Sequence, residues 1–183
     1  MSCMHIRNTE QDYGLISKIL HWLIALIMIS LIAIAWYMVR LSDEDVLYWR
    51  LLDAHEAAGL SLLILLPLKI VWTRFSPNPG YEPTLAGWER FIAGGVRRLF
   101  VLAILVIPLS GFLFVATNGE AVTLYDLFTI PDIGTVSKGV RDWLSDIHYY
   151  VSYGCAVLIV IHILAALKHH FLDGAATLRR MTF

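Results

Sequence analysis

The sequence is poor in charged residues and in cysteine. Only 16% of its 183 residues are charged, whereas 58% are hydrophobic. A soluble domain of this length could not hide so much apolar surface in one core, so the composition argues against a water-soluble protein. The formal net charge of −1 provides no basic field of the kind that nucleic acid requires, and this excludes a nucleic-acid-binding protein.

The two cysteines, Cys3 and Cys155, are too few and too far apart for a disulfide framework or a thiolate metal cluster. The sequence contains no Cys-x-x-Cys-His motif, which excludes covalent attachment of a c-type haem. No small-residue cleavage site follows the first apolar run, so we predict a retained membrane anchor and not a signal peptide.

Four apolar runs have a length close to the ~20 residues that a helix needs to cross a bilayer. They are Ile19–Val39, Ala57–Trp72, Phe91–Ala116 and Ile147–Phe171. With their flanks, these runs predict helices at about 19–39, 55–74, 91–116 and 147–171. The expected fold is an all-α, integral membrane four-helix bundle that forms a single domain over residues 1–183.

The longest polar connection is the stretch Thr117–Asp146. Within it, the segment Thr123–Ile130 precedes Pro131 and mixes apolar with polar residues. This pattern predicts a short helix that lies at the membrane interface.

The distribution of basic residues predicts the orientation of the bundle. Ten of the 14 Lys and Arg residues lie at the N-terminus, the middle loop and the C-terminus: Arg7, Lys18, Lys69, Arg74, Arg90, Arg97, Arg98, Lys168, Arg179 and Arg180. The other two connections hold the remaining four, Arg40, Arg50, Lys138 and Arg141, together with ten of the 15 acidic residues. Because cytoplasmic ends retain positive charge during insertion, both termini are predicted to be cytoplasmic.

Four histidines lie in or beside these spans, where an imidazole usually faces the interior of a bundle. They are His21, His55, His148 and His162. His148 and His162 are 14 residues apart, almost four helical turns, so they share one helix face at depths ~21 Å apart. His21 is expected at the depth of His162. His55 is expected at the depth of His148.

Two histidines at one depth on facing helices are the arrangement that the iron of a b-type haem needs for its two axial ligands. The sequence therefore predicts two non-covalent haem b groups. The predicted iron ligands are the pair His21/His162 on the cytoplasmic side and the pair His55/His148 on the outer side.

Small residues near the ligands fit a flat macrocycle. Gly59 lies one turn below His55, and Gly154 lies within two turns of His148, so both leave room for a large group beside a helix. An iron with two histidine ligands has no vacant position. The predicted chemistry is therefore electron transfer through the haem edges, between the two faces of the membrane.

Two other interpretations of the histidines stay open. The imidazoles could hydrogen-bond between helices without holding a metal. They could also belong to a pathway for zinc or another divalent ion, which would require further ligands at the same depth. Apart from Glu56, the spans offer no carboxylate for that purpose.

A polar pocket is expected near the cytoplasmic end. His169 follows His162 by seven residues and returns to the same helix face, and Lys69 follows His55 by 14 residues. With Lys18, one turn before His21, these side chains could surround a quinone carbonyl or haem propionates. The alternatives are ordinary snorkelling for Lys69 and an exposed pair at the helix end for His169 and His170.

These residues together resemble the bacterial cytochrome b561 family of small four-helix, dihaem proteins of the inner membrane. The matching pieces are His21-Trp22, His55 followed by Gly59, Ile107-Pro-Leu-Ser-Gly111, His148, His162, Lys168-His-His-Phe171 and Thr177-Leu-Arg-Arg-Met181. The sequence departs from the family at Arg97, where relatives often have a histidine.

The resemblance implies the same four haem ligands and places His169 and His170 near the inner quinone region. It also implies a link between a periplasmic one-electron partner and the ubiquinone pool, because the family includes a superoxide:ubiquinone oxidoreductase. The expected partners are membrane lipid, quinone, and either superoxide or a soluble redox protein. The acidic outer segment Asp43–Asp45 is either a solvated face or a docking surface for a basic electron carrier.

Two alternatives to this function are retained. The chain could be a non-catalytic, haem-carrying anchor subunit that passes electrons between quinone and a soluble oxidoreductase. It could also be a structural or transport protein without redox chemistry.

Overall fold

Four long helices make up most of the computed structural model, which describes residues 5–119, 121–125 and 127–182. The helices are α1 (Leu15–Met38), α2 (Val46–Phe75), α3 (Gly87–Ala116) and α4 (Lys138–Phe171). Each of the four is long and apolar enough to cross a membrane. The prediction of a membrane four-helix bundle is confirmed.

Helices α2 and α4 begin earlier than the predicted starts at 55 and 147. Their first turns are too polar for hydropathy to mark, but local bonds stabilise them. The side chain of Asp45 accepts a hydrogen bond from the Leu47 amide at 2.8 Å, as a helix N-cap does. Consequently His55 and His148 lie well inside their helices. The apolar runs alone predict both residues at the helix starts.

The helices pack in chain order, α1 on α2, α2 on α3 and α3 on α4. Helices α1 and α4 make few direct contacts. The bundle therefore has a gap between its first and last helices, and His162 on α4 is exposed in the protein alone. A group of substantial size could enter this gap without disturbing the other three helix interfaces.

The buried core is small for a chain of this length. It consists of Ile24, Met28, Leu31, Leu62, Leu66, Ala103, Ile104 and Cys155. Many large apolar side chains point outward instead, as Leu26 on α1 and Leu164 on α4 do. In water such a surface would be unfavourable, whereas lipid acyl chains solvate it.

The N-terminal segment, the α2–α3 connection and the C-terminal segment meet at one end of the bundle, which we call the terminal face. Asn8 joins the N-terminal segment to the α2–α3 connection. Its side chain accepts hydrogen bonds from the Gly14 amide at 2.9 Å and from Ser17 Oγ at 2.6 Å. It also donates to the carbonyl of Pro77 at 2.9 Å, while its backbone amide donates to Ser76 Oγ.

The opposite end, the hairpin face, contains a small antiparallel sheet of β1 (Val122–Leu124) and β2 (Phe128–Ile130). The predicted interfacial helix at Thr123–Ile130 is therefore wrong. Val and Thr, with their branched side chains, favour the paired strands, and Val122 is buried where β1 packs against α2. The hydroxyl of Tyr125 reaches Ser61 Oγ at 3.2 Å, which ties the turn to α2.

Replacing Asn8 with alanine should destabilise the terminal face, because the amides and hydroxyl that it satisfies would lose their buried partner. We expect a loss of about 1–3 kcal/mol in the free energy of unfolding. The measurement is the midpoint of denaturant-induced unfolding in detergent micelles. Gln11→Ala, at an exposed position of the same segment, is the matched control. Equal midpoints for the two variants would contradict the role assigned to Asn8.

Candidate functional site

Helix α4 presents a histidine to each half of the bundle. His148 and His162 lie on one side of the helix, separated by ~21 Å along its axis. His148 is nearer the hairpin face, and His162 is nearer the terminal face. Each of them meets one histidine from another helix.

The two contacts between histidine rings have similar geometry. The ring centres of His21 on α1 and His162 on α4 are 6.5 Å apart. The ring centres of His55 on α2 and His148 on α4 are 6.0 Å apart. We call these the terminal pair and the hairpin pair. The structure thus brings together the same histidines that the depth argument paired.

The separations can be compared with those of two imidazoles bound on opposite sides of one metal ion. With metal–nitrogen bonds of about 2 Å, the centres of two such rings lie about 6 Å apart. Both pairs match that distance. Each pair therefore fits the iron of a haem held between two helices.

The ring of His148 is oriented by α3. Its Nδ1 lies 2.8 Å from the carbonyl oxygen of Ile107. A carbonyl can only accept, so Nδ1 carries the proton and the neutral ring keeps the lone pair of Nε2 for a metal. This is the usual way in which a protein orients an imidazole ligand.

A glycine on α3 makes this orientation possible. A Cβ atom added at Gly111 would lie 2.8 Å from Nδ1 and 2.9 Å from Cε1 of His148. The segment Ile107–Gly111 therefore cradles the imidazole, with the carbonyl at one end and the glycine at the other. In the sequence this segment carries part of the family resemblance, but no pattern of residues indicates its contact with His148.

The ring of His55 lies beside the carbonyl of Leu31. Its Nδ1 is nevertheless buried and makes no hydrogen bond within the part of the chain that the structure describes. A buried imidazole nitrogen without a partner is unfavourable. This observation also fits a site that a further group completes.

The terminal pair lies among aromatic rings and cations. The ring of Trp22 lies 5.4 Å from that of His21, and the ring of Phe100 lies 5.3 Å from that of His162. Lys69 on α2 follows His55 by 14 residues, almost four helical turns, so it lies near the depth of the terminal pair.

Both predicted glycines face open space: a Cβ atom at Gly59 or at Gly154 would meet no other atom within 4 Å. Gly59 lies one turn from His55 on α2. Gly154 lines an apolar groove of about 330 Å³ between α3 and α4, together with Leu102 and Leu158. The structure therefore places Gly154 on the α3 side of α4.

His169 and His170, predicted near a quinone, point to different surroundings. His169 Nδ1 lies 2.7 Å from Asp173 Oδ2. Lys168 forms ion pairs with Glu89 at 2.9 Å and with Asp173 at 2.7 Å. Hydrogen bonds from Lys168 and His169 hold the pKa of Asp173 below its ordinary value. His169 thus belongs to a charged cluster at the terminal face.

His170 packs against the adjacent Phe171, with ring centres 4.7 Å apart. Its Nδ1 is buried and has no hydrogen-bond partner among the described residues. His169 and His170 therefore lie in different surroundings on α4.

The C-terminal segment crosses the terminal face from α4 to α1. Lys18 Nζ donates a hydrogen bond to the carbonyl of Thr182 at 2.5 Å, and Trp22 Nε1 donates to the carbonyl of Met181 at 2.7 Å. Arg180 anchors the same segment through Glu82 at 3.3 Å. Lys18, predicted to face a quinone or propionate, donates to the backbone in this arrangement.

The chain is similar in sequence to several known proteins. The sequence profile described as prokaryotic cytochrome b561 matches residues 12–183. Cytochrome b561 homolog 2 of Escherichia coli (strain K12) is 32% identical over 178 residues, which cover 97% of this chain and 95% of the relative. Cytochrome b561 homolog 1 of the same organism is 23% identical over 134 residues, covering 73% of this chain and 76% of the relative. The probable superoxide oxidase CybB of Yersinia pestis is 24% identical over 175 residues, covering 94% and 96%.

Replacing Gly111 with alanine should disturb the hairpin pair selectively, because the new methyl group would push the His148 ring away from the Ile107 carbonyl. We expect lower haem occupancy, or an altered low-spin signal, in the purified protein. The measurements are the haem-to-protein ratio and the electron paramagnetic resonance spectrum. Gly95→Ala, in the same helix and with no atom within 4 Å of its added Cβ, should leave both unchanged. Identical spectra for the two variants would contradict the role assigned to Gly111 in orienting His148.

Proposed function

This chain belongs to the prokaryotic cytochrome b561 family of electron-transfer membrane proteins, and from that premise we propose that it carries two b-type haems and moves single electrons across the membrane. Membership of the family implies b-type haem. The number of haems and their positions are the proposal.

The observation that carries this proposal is the presence of two histidine pairs with metal-compatible separations, 6.5 Å and 6.0 Å. Each pair supplies imidazoles from two different helices, and α4 contributes to both. Haem supplies a one-electron redox centre at each pair. The proposed ligands are His21 with His162 and His55 with His148.

The chain's own residues position and enclose these centres. The carbonyl of Ile107 fixes the tautomer and tilt of His148, and the space beside Gly59 admits a flat group. Two imidazoles per iron leave no position for a substrate at the metal. Electrons would therefore enter and leave at the exposed edges of the site, near the two faces of the bundle.

We assign the terminal face to the cytoplasm. Ten of the 14 basic residues lie in the segments that lead to this face, in agreement with the retention of positive charge on the cytoplasmic side. The hairpin face would then point to the periplasm of a bacterial inner membrane. The terminal pair would lie near the cytoplasmic surface and the hairpin pair near the periplasmic surface.

The specific activity that we propose is oxidation of periplasmic superoxide with reduction of ubiquinone. The relative named a probable superoxide oxidase supports it, since the two chains align over nearly their whole lengths. Superoxide would lose one electron and leave as dioxygen. One ubiquinone takes up two such electrons and two protons, so two superoxide ions are consumed per ubiquinol. Lys69 and the cluster around His169 supply polar groups on the quinone side.

Replacing His162 with alanine should remove one haem, because the terminal pair would lose one of its two imidazoles. The pyridine haemochrome assay should show a fall from two haems per chain to one. His5→Ala, at an exposed histidine of the N-terminal segment, should retain two. Full occupancy in the His162 variant would show that this ligand assignment is wrong.

Mixing the oxidised protein with superoxide in a stopped-flow spectrometer should reduce the haem, and the absorption band of reduced haem is the signal to follow. Adding a soluble ubiquinone should then return the haem band to its oxidised form. Haem that is present but unreactive with superoxide would contradict the superoxide activity. That outcome would favour a soluble protein as the electron partner, for which the exposed acidic segment Asp43–Asp45 offers a docking surface.

A further inference from the structure

An arginine near the hairpin face lies on the side of α4 that carries the histidines. Arg141 precedes His148 by seven residues, which is close to two helical turns. The two residues therefore share one side of the helix, and Arg141 lies ~10 Å nearer the hairpin face. A group held by the hairpin pair would have Arg141 as its neighbour on the hairpin side.

The guanidinium group of Arg141 lacks a partner. Its Nε atom is buried and makes no hydrogen bond within residues 5–119, 121–125 and 127–182. Arg141 also forms none of the ion pairs in those ranges. A buried polar atom without a partner is unfavourable, and more so when the group is charged. Arg141 lies in the first turn of α4, where the helix dipole also disfavours a cation. Both observations indicate a missing anion.

The neighbouring charges on α4 do not supply that anion. Asp142 pairs with Lys138 at 2.5 Å, and these two side chains are 57% and 81% exposed. Lys138 therefore behaves as an ordinary interfacial cation, which reaches water and pairs at the surface. The buried Nε of Arg141, one turn of helix away, does not follow that pattern.

A haem b brings carboxylates of its own. Its two propionate side chains carry negative charge, and a charge inside an apolar bundle needs an opposite charge or hydrogen-bond donors beside it. A planar guanidinium matches a carboxylate with two parallel hydrogen bonds. The hairpin end of α4 offers two cations, Lys138 and Arg141, and Lys138 is already paired. Arg141 thus has the chemistry, the position and the unused donor that a propionate requires.

We propose that Arg141 binds a propionate carboxylate of the haem held by His55 and His148. This inference rests on the proposed binding of two haems, and it adds a haem-binding residue that is not an iron ligand. The ion pair directs the carboxylate edge of that haem toward the hairpin face. It also slows the dissociation of that haem without acting on the other one.

The test is the rate of haem loss from the full-length protein to an excess of apomyoglobin, which captures dissociated haem. Arg141→Gln should accelerate the loss of one of the two haems about tenfold, the factor expected for one hydrogen bond to a charged group. The second haem should be lost at its original rate. Arg141→Lys keeps the charge without the planar fork, so its rate should lie between the two.

Lys138→Gln is the matched control, because it removes a cation from the same turn of α4 that already pairs with Asp142. Both rates of haem loss should stay unchanged in this variant. His162→Ala assigns the affected haem, since it is expected to retain only the haem of the hairpin pair. Adding Arg141→Gln to His162→Ala should accelerate the loss of that remaining haem.

Infrared difference spectra between the oxidised and reduced protein identify the carboxylate directly. Haem labelled with a heavy carbon isotope in its propionate carboxyls separates the propionate bands from those of Asp and Glu. We expect Arg141→Gln to shift an isotope-sensitive carboxylate band. Lys138→Gln should leave the same band in place.

Equal rates of haem loss in Arg141→Gln, Lys138→Gln and the unmodified protein would overturn the proposal, as would faster loss of the terminal haem alone. Unchanged haem loss together with slower reduction by superoxide would also overturn it, and would assign Arg141 to a dissolved anion. An unmodified protein with fewer than two haems would instead refute the proposed function, so the two failures can be told apart.

Discussion

The architecture depends on the spacing of two histidines on one helix. His148 and His162 are separated by almost four turns of α4, so one rigid element offers an imidazole at two depths. Two other helices then supply a partner, each at one of those depths. Helix α1 does so with His21 near the terminal face, and α2 does so with His55 near the hairpin face. Helices α1 and α4 make few contacts, which leaves the space that the proposed haem of the terminal pair would need.

Helix α2 repeats the spacing of α4 with a different result. His55 and Lys69 are also 14 residues apart, but the second position holds a lysine and not a histidine. The same helix thus contributes an imidazole to the hairpin pair and a lysine near the depth of the terminal pair. Helix α3 contributes no histidine, yet it determines the surroundings of both sites. Its Ile107 carbonyl and Gly111 orient His148, and its Phe100 packs against the ring of His162. The surroundings of the two pairs therefore depend on residues other than the four histidines.

The terminal face is closed by hydrogen bonds between segments distant in the chain. Asn8 joins the N-terminal segment to the end of α2, and the C-terminal carbonyls of Met181 and Thr182 accept from Trp22 and Lys18. These contacts cross the end of the gap between α1 and α4 near the terminal pair. The ion pairs of Lys168 lie on the same face. Polar residues near a membrane surface can thus stabilise the end of the bundle, as Lys18 does by donating to the carbonyl of Thr182.

The sequence alone determined the membrane location, the number of spans and the pairing of histidines by depth, because hydropathy and helical periodicity depend only on residue order. It also determined the family, through motifs spread over nearly the whole chain. Only the tertiary structure decided which side chains surround each pair. Helix rotation and lateral packing set those contacts, and neither leaves a periodic signal, so the contact of His148 with the Ile107 carbonyl and the charged cluster around His169 could not be predicted. Strands β1 and β2 could not be predicted for a related reason. They are short, and burial of Val122 against α2 stabilises them in place of the helix that local composition favoured.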